Sequence, residues 1–187
     1  MDKLNNKLFW NTRYETNMTL GSGTGSRGNN LKLKENLVKD IVEKYNVESV
    51  LDIGCGDCEV NKNLDLPNYT GIDVSDVIVK RNNELYPDRN YIMGDFNYIN
   101  NNDIKSDLVI CFDVLIHQPT KEEYDLGIQT IKNSFNKVAL VSGFEKTETK
   151  GIIYFYESIL KSFSDCNVEI MYKFDLQTLI KITKKEK

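Results

Sequence analysis

From Leu31 onward the chain alternates between two hydrophobic rhythms. Leu33, Leu37, Val38, Ile41, Val42 and Tyr45 recur at spacings of three and four, the mark of a helix with one buried face, and Asn29 or Asn30 stands where a cap is needed. The run from Ser49 to Ile53 then reads as a short strand ending in Gly54-Cys55-Gly56. Tyr69 to Asp73 predicts a second strand, followed by a helix that Ser75 can cap and Pro87 stops after Tyr86. Tyr91 to Met93 predicts a third strand. The unbroken apolar run Leu108 to Phe112 predicts a central strand covered on both faces. Thr120 and Glu123 form a capping-box pattern ahead of a helix through Ile131, and Val138 to Val141 is a fifth strand. Ile152, Phe155, Tyr156, Ile159, Leu160 and Phe163 predict an amphipathic helix. Val168 to Phe174 and Thr178 to Thr183 alternate and lie close together, as in an antiparallel hairpin.

Strands alternating with helices imply right-handed βαβ units and a mostly parallel sheet, into which the terminal hairpin brings one antiparallel strand. In open sheets of this kind ligands bind beyond the carboxyl ends of the strands, near the reversal of strand order. The chemistry is therefore expected just after the first four strands. The first 30 residues show no clear period and end in the glycine-rich segment Gly21 to Gly28.

Composition narrows the picture in three ways. With 187 residues, of which 40% are apolar, the chain is sized for one domain with a sizeable core. A formal net charge of −4 argues against a nucleic-acid binder held by phosphate neutralisation. No stretch approaches the roughly 20 apolar residues of a membrane span, and Met1 to Trp10 has no apolar run suited to a secretory signal, so a cytoplasmic protein without a membrane partner is expected. Of the four cysteines, Cys55 and Cys58 form a C-x-x-C with no second pair, and His117 is the sole histidine. Structural zinc needs four ligands, so no metal site is expected.

The turn after the first strand reads Asp52-Ile-Gly54-Cys55-Gly56-Asp57. Glycines at 54 and 56 permit a sharp turn and close backbone approach to a ligand. Seventeen residues past Gly56 the second strand ends in Asp73, a carboxylate placed to accept both hydroxyls of a ribose. A dinucleotide site would want a third glycine where Glu59 stands, and a carboxylate there would repel a pyrophosphate. Asp52 and Asp57 instead suit a ligand bearing an ammonium group. The pattern favours an adenosine that carries an amino acid.

Val50-Leu-Asp-Ile-Gly-Cys-Gly-Asp57, Tyr69-Thr-Gly-Ile-Asp-Val-Ser75, Gly94-Asp-Phe96 and Asp107-Leu-Val-Ile-Cys-Phe-Asp-Val-Leu-Ile-His117 together resemble the class I S-adenosylmethionine-dependent methyltransferases over about residues 35–142. The resemblance implies an α/β, Rossmann-like doubly wound sheet of seven strands, mostly parallel with an antiparallel last strand. It implies S-adenosylmethionine as cofactor, Gly54, Cys55 and Gly56 flanking its methionine portion, and Asp73 with Val74 at the ribose. Asp95 would bond the adenine amino group, Phe96 would lie against the ring, and Cys111, Phe112 and Asp113 would line the sulfonium side. The third glycine of the family's first motif is replaced here. No Asn-Pro-Pro-Tyr-like run follows the fourth strand, which weakens the case for methylation of a nucleobase or amide nitrogen.

Two further features bear on the acceptor. His117, four residues past Asp113, is either a base for an acceptor hydroxyl, since its ordinary pKa suits neutral pH, or a local hydrogen-bonding group that orients a loop. Residues 1–30 are either a flexible tail or a lid in which Trp10, Tyr14 and Arg27 close over the cofactor, Arg27 meeting its carboxylate or an acceptor phosphate. The Trp-x-x-Arg-Tyr and Gly-Ser-Gly-x-Gly-Ser-Arg-Gly runs there look like those of small methyltransferases of glycan and capsule assembly. Phe144, Tyr154, Phe155 and Tyr156 after strand five either floor an acceptor pocket or pack in the core, the reading favoured because most of them fit the buried face of the helix there. The expected activity is O-methylation of a small molecule or sugar-linked precursor by a domain spanning residues 31–187. The rival readings are methylation of a protein or RNA with a partner subunit, and a non-catalytic cofactor-binding module.

Overall fold

The computed structural model describes residues 5–174 and 177–185. The first four residues of the expected lid segment, the connection of the terminal hairpin at 175–176 and the last two residues lie outside them. Seven strands form one sheet: β1 (Val50–Ile53), β2 (Tyr69–Asp73), β3 (Asn90–Met93), β4 (Ser106–Cys111), β5 (Phe135–Phe144), β6 (Asn167–Phe174) and β7 (Gln177–Thr183). Their order is β3-β2-β1-β4-β5-β7-β6. All neighbours as far as β5 run parallel, and β7 is antiparallel to both β5 and β6. This is the expected doubly wound sheet with its last strand reversed, and strand order reverses between β1 and β4.

The helices are α1 (Asn6–Thr16), α2 (Gly28–Lys44), α3 (Asp76–Leu85), α4 (Phe96–Asn101), α5 (Lys121–Ser134) and the single turn α6 (Ile159–Ser162). Two apolar clusters, one on each face, follow from side-chain alternation along the strands. Leu108 and Ile110 of β4 pack with Leu37, Val38 and Ile41 of α2 and Val79 of α3. Val109 and Cys111 pack with Ile99 of α4 and with Tyr124, Ile128 and Ile131 of α5. Each fully buried Leu or Ile in these clusters contributes roughly 1.5–3 kcal/mol. None of the helices among the described residues is long and apolar enough to cross a membrane.

Local signals set most boundaries. The Ser75 hydroxyl accepts from the Ile78 N–H at 3.3 Å and starts α3, and Thr120 does the same for α5 through the Glu123 N–H at 3.1 Å. Two expectations give way. Helix α2 begins at Gly28 with Arg27 at its cap position, ahead of Asn29 and Asn30. The helix expected over Ile152 to Phe163 is confined to Ile159–Ser162. Upstream, Gly151 takes φ +62°, Lys150 bridges Ile153, and the Tyr154 N–H donates to the Ile116 carbonyl at 2.8 Å. The backbone of 150–156 thus finds its partners in the loop after β4, and Tyr154, Phe155 and Tyr156 are half-buried over that loop. Helices α1 and α4, absent from the sequence reading, are held by side-chain caps at Asn5 and Asp95.

Candidate active site

One cleft lies at the carboxyl ends of β1 to β4. Asp52, Gly54, Cys55, Asp73, Val74, Asp95, Phe96, Phe112, Asp113, His117, Trp10 and Tyr14, all singled out in the sequence, line it. Gly56, Cys111 and Arg27 do not.

The turn after β1 is built on the second strand. The N–H groups of Gly54 and Cys55 both donate to the Ile72 carbonyl, at 2.7 and 3.1 Å. Gly54 has φ +70° and Gly56 φ +51°, conformations that glycine adopts without strain. Asp73 receives the Gly56 N–H at 2.9 Å on Oδ2 and the Ser75 N–H at 2.9 Å on Oδ1. Its carboxylate is held rigidly at the β2 end. Burial outweighs those two hydrogen bonds and raises its pKa to about 6. Asp52, at the base of the turn, accepts from the Tyr69 hydroxyl at 2.6 Å and the Asn61 amide at 2.8 Å, and burial moves its pKa up as well.

At the end of β4, Asp113 has φ +62° and is saturated with partners. Lys34 Nζ lies 2.7 Å from Oδ2, while Ser142 at 2.7 Å and Gln177 at 2.8 Å donate to Oδ1. Burial pushes its carboxyl up, but the Lys34 ammonium and these hydrogen bonds outweigh it and hold the pKa below the ordinary value. Lys34 itself is 1% exposed and also bonds the Gly25 carbonyl at 2.8 Å. Nothing in the sequence singled it out, because a lysine on a helix ordinarily points to water. Cys111 is 0% exposed and sits in the core under α5, since the alternation of β4 sends it away from the cleft.

The segment before α2 lies across the glycine turn. Arg27 Nη2 pairs with Asp57 Oδ2 at 2.5 Å, and Ser22 binds the same carboxylate through its hydroxyl at 2.8 Å. Arg27 therefore fastens this segment to the turn and does not line the cleft. Asp57, expected to face an ammonium, is already matched by Arg27, which together with Ser22 outweighs burial and keeps its pKa low. Gly56 lies under the segment: a Cβ there would fall 2.1 Å from the Ser22 hydroxyl and 2.9 Å from that of Tyr14. Trp10 stacks on Tyr14 at 5.9 Å and meets His117 edge-on at 5.4 Å.

His117 Nδ1 lies 2.8 Å from the Ile152 carbonyl. A carbonyl only accepts, so Nδ1 carries the proton and Nε2 the free lone pair. Burial depresses the pKa of this ring below its ordinary value, so the imidazole is neutral at pH 7. Asp95 spends one oxygen on the Tyr98 N–H at 2.9 Å as the cap of α4. Phe96 is buried yet reaches the cleft. Cys55 and Cys58 are free and buried, and Cys58 Sγ accepts from the Asn82 amide at 3.2 Å.

Comparison with known proteins gives a consistent result. Residues 51–131 match the family model described as a methyltransferase domain. No curated protein matches the chain significantly. Among solved structures it is similar to magnesium protoporphyrin IX methyltransferase from Synechocystis PCC 6803 with bound SAH, at TM-score 0.74 and 18% identity over 96% of this chain and 98% of that one. An S-adenosylmethionine-dependent methyltransferase from Clostridium acetobutylicum ATCC 824 aligns with TM-score 0.66 and 13% identity over 83% of this chain and 92% of the other. A TehB-like SAM-dependent methyltransferase from Corynebacterium glutamicum ATCC 13032 has the same TM-score and identity, over 82% and 88%. Residues 51–131 thus match a methyltransferase domain, and the chain as a whole has the fold of these solved methyltransferases.

Proposed function

We propose that the protein methylates a hydroxyl oxygen of a small molecule or a sugar-linked precursor in the cytoplasm, with His117 as the base. The tautomer of His117 carries this reading. Its Nδ1–H is held by the Ile152 carbonyl, which leaves Nε2 as an unprotonated acceptor on a ring that lines the cleft.

The residues fit the cofactor. Asp73 is oriented by two backbone amides and keeps lone pairs on both oxygens for ribose hydroxyls. Phe96 and Val74 offer apolar surface for the adenine, and Asp95 has one oxygen left for its amino group. Gly54, which lines the cleft, offers backbone to the cofactor, while Gly56 makes room for Ser22 and Tyr14 of the overlying segment. When bound, S-adenosylmethionine supplies a methyl group on a sulfonium. The chain's task is to align an acceptor oxygen behind that methyl, take its proton at Nε2 of His117 and exclude water. The segment from Asn6 to Arg27 acts as the lid, with Trp10 and Tyr14 as its inner surface.

No lysine or arginine lines the cleft among the described residues, since Lys34 and Arg27 are held by Asp113 and Asp57. The part of the acceptor that enters therefore carries no negative charge, and a phosphate on a sugar-linked acceptor stays outside. A small-molecule acceptor accords with the magnesium protoporphyrin IX named for the Synechocystis neighbour. Free thiols at all four cysteines accord with a reducing compartment.

The test is release of S-adenosylhomocysteine with two acceptor pools, one of sugars, nucleotide sugars and small hydroxy compounds, the other of tRNA and protein extract. Turnover in the first, abolished by Asp73→Ala and slowed by His117→Ala, is expected. Turnover confined to the second would replace the small acceptor with a macromolecule, and silence in both with cofactor bound would favour a regulatory module.

A further inference from the structure

Cys55 and Cys58, the C-x-x-C of the glycine turn, take no part in the proposed methyl transfer, yet both line the cleft as free thiols. The Cys58 N–H donates to the Cys55 carbonyl at 3.0 Å. A turn closed in this way holds its first and fourth Cα atoms within about 7 Å, and a disulfide spans about 4.4–6.8 Å. The two thiols also interact directly, and that contact, ahead of burial, pushes the Cys55 pKa up. Cys58 adopts φ +58°, a left-handed conformation that persists in a residue other than glycine only where its surroundings impose it.

The residues enclosed by the two cysteines hold the cleft together. Gly56 gives its N–H to Asp73 at 2.9 Å, and its carbonyl accepts from Asn82 at 2.7 Å. Asp57 holds Arg27 and Ser22 of the N-terminal segment. A bond between the sulfurs would draw Cys58 Sγ from the Asn82 amide, now 3.2 Å away, and twist Gly56 and Asp57. The ribose carboxylate and the overlying segment are thus fastened to a turn that one covalent bond can reshape.

We propose that Cys55 and Cys58 form a redox switch, in which a peroxide converts them to a disulfide that loosens the cleft's hold on the cofactor. The effect on binding rests on the cofactor reading of the cleft. One sulfur, as its thiolate, attacks a peroxide oxygen and becomes a sulfenic acid as the O–O bond breaks, and the second sulfur then displaces water from it. Two S–H bonds are lost, one S–S bond forms, and hydrogen peroxide is reduced to two molecules of water. A dithiol reductant reverses the change by exchange. The neighbouring sulfur and burial keep Cys55 protonated near neutral pH, so closure is slow and answers to sustained peroxide.

Prolonged treatment of the full-length chain with hydrogen peroxide tests the switch, read by mass spectrometry of the tryptic peptide 45–62 and by calorimetric titration with S-adenosylhomocysteine. That peptide is expected to lose two hydrogens, and S-adenosylhomocysteine to bind about tenfold or more weakly. Dithiothreitol should restore both, and Cys58→Ser, checked for folding by its melting curve, should keep its affinity through the same treatment. Several results would overturn the switch and leave the cofactor reading standing: an unchanged peptide, oxygen added to either sulfur in place of the S–S bond, equal affinity of the reduced and disulfide forms, or a loss in Cys58→Ser as large as in the wild type. Reduced wild-type protein that fails to bind S-adenosylhomocysteine would overturn the switch together with the cofactor reading.

Discussion

The ammonium of Lys34, 1% exposed, lies 2.7 Å from the carboxylate of Asp113, a pair 79 residues apart in the chain. Through it α2 reaches under the N-terminal segment to the end of β4, while Ser142 and Gln177 tie the same carboxylate to β5 and β7. Removing one partner of such a pair leaves a buried charge uncompensated. Lys34→Met is expected to cost about 3–5 kcal/mol in urea denaturation, and Lys34→Met with Asp113→Asn is expected to recover part of that loss. The pKa of Asp113 is lowered in the fold, so its contribution is present above the unfolded carboxylate value and lost as pH falls through the native one. The single variant should lose this acid-side dependence.

Asp73 behaves oppositely. Its native pKa of about 6 lies above that of an unfolded aspartate, so this group favours the folded state most at low pH and withdraws that support as pH rises through about 6. Cofactor binding needs the charged form to accept ribose hydroxyls. The affinity for S-adenosylhomocysteine should therefore fall as pH drops below about 6, while the ligand-free protein gains stability over the same range. Melting curves with and without ligand at a series of pH values would show the two trends diverging. Parallel trends would mean that Asp73 does not hold the ribose.

Five strands, the reversed hairpin and Asp73 at the end of the second strand were legible because each rests on local pattern (apolar runs, glycine turns, capping residues), whereas Asp95 and Asp113 were named only through the family resemblance. Lys34 was not legible, since its partners Gly25 and Asp113 become neighbours only when β4 and α2 pack. Arg27 was read as facing a ligand and instead meets Asp57, a pairing between two loops 30 residues apart. The failed helix over Ile152 to Phe163 has a physical cause too. Its apolar spacing is satisfied by an irregular chain whose backbone bonds to Ile116 and His117, and periodicity alone does not reveal such long-range partners.

The N-terminal segment rests on contacts that small changes should disrupt. An alanine at Gly56 would carry its Cβ into the Ser22 and Tyr14 hydroxyls at a backbone angle of φ +51°. Gly56→Ala should therefore weaken S-adenosylhomocysteine binding at least about tenfold and expose the segment to protease. Arg27→Ala should also speed cleavage before α2, and cost more stability than an exposed surface pair, because it leaves the 8%-exposed Asp57 carboxylate without its cation. Unchanged cleavage in both variants would detach the lid role from these residues.

For His117, loss of the imidazole should act on turnover and leave cofactor affinity alone. His117→Gln is expected to lower kcat by about 10²-fold or more with the Kd for S-adenosylhomocysteine unchanged. In the wild type, kcat/KM should rise with pH through a value below the ordinary histidine pKa and then level, because burial favours the neutral ring. A pH limb that survives in His117→Gln would assign the proton transfer elsewhere.

The atom that receives the methyl group separates the proposed function from its rivals. Incubating the protein with S-adenosylmethionine labelled with carbon-13 at the methyl, together with the pool of small hydroxy compounds, and recording the carbon-13 spectrum of the products reads that atom directly. A new methoxy signal, absent with Asp73→Ala and much weaker with His117→Gln, is the expected result. A methyl signal on nitrogen or sulfur, or label found only on tRNA or protein, would contradict the assignment of an oxygen acceptor and of His117 as its base.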